Sequence, residues 1–113
     1  MYIRCAFFKG TVKPGCEAAF NRYVAEQLVP IWTRFPGAQE VRVLRQVECD
    51  AADPSLEMVL AVRYPSREAI DVALASSVRF EGREMTKGLL EMFDGTVFHT
   101  VFEASQFALP AGA

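Results

Sequence analysis

The chain has 113 residues, 51% of them apolar and 23% charged, with a formal net charge of −2. That length points to one domain, and that composition excludes intrinsic disorder, a collagen-like chain and a disulfide-stapled scaffold. The small acidic excess lacks the basic footprint of a nucleic-acid binder, and no apolar run is long enough to span a membrane.

The opening MYIRCAFFKG has neither the apolar stretch nor the cleavage site of a signal peptide. The cysteines Cys5, Cys16 and Cys49 are odd in number and form no CxxC pair, so a reduced, cytoplasmic setting is expected. One histidine and three cysteines are too few to suggest a metal site.

Residues 2–9, YIRCAFFK, are rich in β-branched and aromatic types and read as a strand. GTVKPG over 10–15 is turn chemistry. A helix over 15–35 follows, because Phe20, Val24, Leu28, Ile31 and Phe35 recur at three and four. Pro30 is expected to kink its last turn, and Pro36-Gly37 to end it. QEVRVLRQVE over 39–48 alternates as a second strand, residues 49–55 form a loop, and LEMVLAVRY over 56–64 is the third strand. Ser66 is the N-cap of a second helix, which Ser76-Ser77 and Gly82 divide into pieces over 67–76 and 80–93. Asp94-Gly95 is expected to end it, with Gly95 left-handed. TVFHTVFE over 96–103 is the fourth strand. The domain thus covers 1–105, with a loose tail over 106–113.

The order βαββαβ gives an α+β, ferredoxin-like fold. Four antiparallel strands lie in the order 4-1-3-2, with both helices on one face and the other face bare. Strand alternation splits each strand into two sets. Ile3, Cys5 and Phe7, then Val41, Val43 and Val47, then Met58, Leu60, Val62 and Tyr64, then Phe98, Thr100 and Phe102 are the more apolar sets and are expected to meet the helices. The opposite sets mix Tyr2, Phe8, Leu44, Val59, Val97 and Val101 with Arg4, Arg42, Arg63 and His99. A half-apolar, half-charged face suits a lumen closed by a second subunit, so a homodimer is expected.

The element order and the run F-x-x-Y-x-x-E-Q-L-V-P-I-W-x-x-F-P-G over Phe20–Gly37 resemble the dimeric α+β barrel superfamily. Within it the chain most resembles EthD-like proteins and antibiotic-biosynthesis monooxygenases. FDGTVFH over Phe93–His99 is similar to the last helix-to-strand passage of such proteins. The resemblance implies two ferredoxin-like sheets that face each other and enclose a pocket, and a ligand site between sheet and helices. It also implies a small apolar or aromatic, polyketide-like, oxygen-bearing molecule as ligand or substrate, handled without a cofactor by monooxygenase-, isomerase- or dehydratase-like chemistry. One departure matters. EthD-like proteins often carry a histidine shortly before the proline of the first helix, and here Gln27 and Leu28 precede Val29-Pro30. A base at that place is not carried over, which favours the alternative of a non-catalytic binding or interaction module.

His99 alone has an unperturbed pKa near neutrality, so it is the candidate catalytic base, with a structural strand histidine as the plain alternative. Arg4 and Arg63 lie on the central strands and suit a carboxylate or phenolate oxygen, or else pair with Glu57, Glu48 or Glu103. Strand parity places Arg4, Arg63 and His99 in one lumen. Tyr2, Tyr23 and Trp32 are further candidate substrate contacts, with packing as the alternative for Tyr23 and Trp32. Cys16 near a helix start and core Cys5 carry no chemistry beyond packing. No phosphate-binding glycine loop, nucleotide fingerprint or G-x-S-x-G elbow occurs, and the third strand lacks the basic–glycine–aromatic pattern of an RNA module. No cofactor, nucleic acid or membrane partner is expected.

Overall fold

Strand β1 (Tyr2–Val12) pairs antiparallel with β3 (Leu56–Tyr64) on one side and with β4 (Phe93–Glu103) on the other. Strand β2 (Glu40–Arg45) completes the sheet beyond β3, giving the order β2-β3-β1-β4 that the sequence predicts. The protein is represented by a computed structural model that describes residues 1–51 and 55–112. Residues 52–54 of the expected loop, and the last residue of the expected tail, lie outside the described residues.

The β1–β4 ribbon is longer than the alternation pattern suggests. β1 runs on to Val12, and β4 starts at Phe93, which was expected in the helix. The cause is a paired glycine site, Gly10 opposite Gly95. A Cβ on Gly10 would collide with the Asp94 carbonyl, and one on Gly95 with the Lys9 carbonyl, so only glycine lets the two backbones close here. Gly10 has φ +143°, whereas Gly95 is not left-handed, contrary to expectation.

The first helical segment is α1 (Glu17–Tyr23), a π-helical turn over Val24–Leu28, and α2 (Val29–Trp32). The widened turn replaces the expected late kink. Pro30 has no N–H to offer the Glu26 carbonyl and its ring crowds that turn, so the ladder re-registers just before it. The second segment is α3 (Arg67–Leu74) and α4 (Ser77–Leu90). Ser66 Oγ accepts from Ala69 N–H at 3.1 Å, as a cap should, and Ser76 does the same for Arg79 N–H at 3.4 Å. The break at Ser76 is as expected, but the second piece starts at 77 and stops at 90.

Both helical segments cover one face of the sheet. Phe20, Val24, Leu28, Met58 and Leu89 are the largest fully buried side chains and fix the centre of the core. Phe8 and Phe20 both pack on Phe93, which joins the sheet to the first helix. Arg34 on the turn after α2 pairs with Glu81 of α4 at 2.7 Å, on the outer surface. Among the described residues no helix is long and apolar enough to cross a membrane.

Candidate functional site

Cross-strand partners in an antiparallel pair share a face. Ala6 lies opposite Leu60 on one side and His99 on the other, and Arg4 opposite Val62 and Val101. Since Met58, Leu60, Val62 and Tyr64 are buried under the helices, Arg4, Ala6, Phe8, Val97 and His99 face the helices too. The expected parity holds for β3 and for Val41 and Val43 of β2, but Val47 lies exposed beyond the end of β2, and the parity is reversed for β1 and β4. Ile3, Cys5, Phe7, Phe98, Thr100 and Phe102 turn to the open face instead, together with Val59 and Arg63.

The three-residue lumen inferred from parity therefore does not form. Arg4 and His99 come together beneath the helices, and Arg63 lies across the sheet from both. No described carboxylate pairs with Arg4 or Arg63, so the expected bridges to Glu57, Glu48 or Glu103 are absent among the described residues. Glu40, directly opposite Arg63, bonds Arg42 Nε at 2.7 Å. The Arg63 Nε is buried with no hydrogen-bond partner.

Between sheet and helices lies a cavity of about 490 Å³, within the range of small-molecule sites. Its floor is the sheet: Arg4, Ala6 and Phe8 of β1, Leu60, Val62 and Tyr64 of β3, and Val97 and His99 of β4. Trp32 and Phe35 form an aromatic wall, and α4 supplies Arg79, Arg83, Thr86, Lys87 and Leu90 as the roof. Trp32, read from the sequence as packing or substrate contact, is nearly fully buried at this wall. Tyr23 does not line the cavity. Its hydroxyl donates to the Met85 carbonyl at 2.6 Å and ties the first helix to α4. Tyr2 is half-buried against the core, also outside the lining.

The electrostatics follow from the burial. Desolvation, then Arg4 and Arg79, hold the His99 imidazole below its ordinary value, so it is neutral at pH 7. Desolvation and Arg79 also push the Arg4 guanidinium down, an effect opposed by Tyr64. An arginine nonetheless stays charged in a protein. Burial raises the Tyr64 phenol, with Arg4 acting the other way, so the phenol keeps its proton. The cavity thus holds a neutral imidazole able to accept a proton, a phenol able to donate one, and guanidinium groups suited to an oxyanion.

Arg79 and Arg83 are not among the site residues the sequence analysis singles out. Their signal was present: Arg79, Arg83 and Lys87 follow one another at intervals of four on α4, which places them on one helix face.

The chain matches no family model and no curated protein. Solved structures do share its fold. An ethyl tert-butyl ether d (EthD) family protein from Bacillus halodurans C-125 superposes with a TM-score of 0.71 at 17% identity, covering 93% of this chain and 99% of that one. SnoaB, a cofactor-independent oxygenase from Streptomyces nogalater, gives 0.63 at 21% identity over 94% of each chain. A protein described as an antibiotic biosynthesis monooxygenase gives 0.62 at 17% identity, covering 94% of this chain and all of that one. The resemblance to EthD-like proteins and antibiotic-biosynthesis monooxygenases read in the sequence is thus met at the level of the fold.

Proposed function

We propose that this chain is a cofactor-free, homodimeric, cytoplasmic protein. It binds a small apolar or aromatic, oxygen-bearing molecule in the cavity between sheet and helices and converts it there. The observation that carries the reading is the pairing of Arg4 with a neutral His99 on an otherwise apolar floor, under an aromatic wall. His99 takes a proton from the ligand's acidic O–H or C–H, and Arg4 holds the resulting oxyanion. The likeness to a cofactor-independent oxygenase supports small-molecule chemistry run on side chains alone.

The homodimer draws support from the open sheet face. Phe98 and Phe102 are 45% and 46% exposed there, and Leu44 49%. Phe7 stacks on Phe98 with centroids 5.1 Å apart. A second sheet packed on this face covers those rings and offers an acceptor to the unpartnered Arg63 Nε. Three free cysteines, Cys5, Cys16 and Cys49, suit a reducing compartment.

A non-catalytic carrier of the same ligand is the second reading. It is favoured by the absence, among the described residues lining the cavity, of any carboxylate to orient His99. Native mass spectrometry of freshly purified protein tests the shared part of both readings. A dimer that retains an organic molecule is expected, and a bare monomer that takes up no aromatic compound overturns them. Turnover of the retained molecule, lost in His99→Gln, separates enzyme from carrier.

A further inference from the structure

Charge in the cavity is one-sided. Arg4 enters from β1, Arg79 from the first turn of α4, and Arg83 one helical turn later. Among the described residues none of the three is in an ion pair, and no aspartate or glutamate lines the cavity. The neighbouring acids of α4 are engaged elsewhere. Glu81 bonds Arg34 at 2.7 Å, and Glu84 bonds Lys87 at 3.0 Å, which discounts Lys87 as a free charge.

An unpaired guanidinium in a half-buried site is costly, and a second one beside it costs more. Arg4 and Arg79 are close enough that each bears on the charge of the groups around it, His99 included. Arg79 spends one N–H on the Leu74 carbonyl at 3.4 Å and keeps its remaining donors. Within the chain nothing described offsets this charge. An anionic ligand does.

Resting on the cavity reading above, we propose that the ligand is an aromatic carboxylate. Its acid group is held between Arg4 and Arg79, and its ring lies against Trp32 and Phe35. The geometry of the donors selects the acid: a planar guanidinium matches the two oxygens of a carboxylate with two parallel N–H bonds. The walls select the ring, because Phe8, Leu60, Val62 and Val97 make the rest of the floor apolar. Arg83, exposed at the cavity's edge, adds a positive field that draws the anion in. A nucleotide or sugar phosphate is disfavoured, since no glycine-rich phosphate loop adjoins the site.

The chain supplies its own reporter. Trp32 is the only tryptophan, so its emission reads cavity occupancy directly. Wild-type protein is titrated with 1-naphthoate and with 1-naphthamide, a neutral molecule of nearly the same shape, at pH 7 and low salt. Heat of binding is measured alongside. Naphthoate is expected to bind at least about tenfold tighter, the scale of one charge-assisted bidentate contact. That preference is expected to collapse in Arg79→Gln and in Arg4→Gln, with naphthoate losing far more affinity than naphthamide. Arg79 sits in the first turn of α4 and not on a central strand, so Arg79→Gln carries the test if Arg4→Gln does not fold. Equal affinity for acid and amide overturns the carboxylate assignment and leaves the cavity reading standing. So does an acid preference that survives in Arg79→Gln. If neither compound changes Trp32 emission or gives heat up to millimolar concentration, the cavity reading itself falls.

Discussion

Replacing Phe98 by alanine probes the open sheet face without touching the cavity. Phe98 is 45% exposed in the single chain. Taking roughly 200 Å² for a phenylalanine side chain, about 90 Å² of ring remains to be covered. At about 25 cal/mol per Å² that is about 2 kcal/mol. In a twofold dimer each ring appears twice, so the truncation weakens association by about 4 kcal/mol, or roughly 1,000-fold in Kd. Within one subunit the loss is smaller. The stack on Phe7 contributes about 0.5–1.5 kcal/mol, so the variant subunit still folds. Sedimentation velocity over a dilution series, with circular dichroism as the control for folding, reads both effects. Val101→Ala is the comparison, because Val101 lies on the helix-facing side of β4 and leaves the dimer unchanged. A wild-type monomer at the highest concentration, or an unaltered Kd for Phe98→Ala, would refute the reasoning.

Three further outcomes are expected. His99 titrates below its unfolded value near 6.5, as a proton NMR titration of its ring would record; the unfolded chain then binds the extra proton first, so stability falls as pH drops from about 6.5 toward the folded pKa and levels off below it, a slope that His99→Gln removes and an unchanged slope contradicts. Tyr23→Phe loses its bond to the Met85 carbonyl and costs about 0.5–1.5 kcal/mol in urea unfolding, with naphthoate affinity unaltered; a weakened affinity at full stability would return Tyr23 to the ligand site. Gly10→Ala sets a Cβ against the Asp94 carbonyl at a φ of +143° and costs at least about 2 kcal/mol, seen as a lowered Tm, whereas a neutral change would mean that the β1–β4 ribbon opens freely there.

Much of this molecule is written locally. The apolar period of the first helix and the cap at Ser66 require only neighbours in the chain: Phe20, Val24, Leu28 and Ile31 are buried as the period predicts, although the helix ends at Trp32 before Phe35, and Ser66 caps as expected. The order of elements then leaves few ways to arrange four strands, and the ferredoxin-like sheet order follows. The length of β4 is different, because it depends on Gly10 meeting Gly95 across the ribbon, a contact between residues 85 positions apart.

Which way β1 and β4 face was also beyond local reach. In β3 the choice is unambiguous, since Met58, Leu60, Val62 and Tyr64 outweigh Glu57, Val59, Ala61 and Arg63. In β1 both faces are apolar enough, with Phe7 on one and Phe8 on the other. In β4 the larger rings, Phe98 and Phe102, belong to the open face. Alternation fixes two sets per strand but not which set is inside. Antiparallel registry decides it: Ala6 must share a face with Leu60, and His99 with Ala6, so β3 sets the orientation of both its neighbours. The sequence therefore determined the elements, their order and the presence of Arg4 and His99 on sheet strands. Only the tertiary pairing turned those two beneath the helices, brought Arg79 and Arg83 over them, and left Arg63 on the other side.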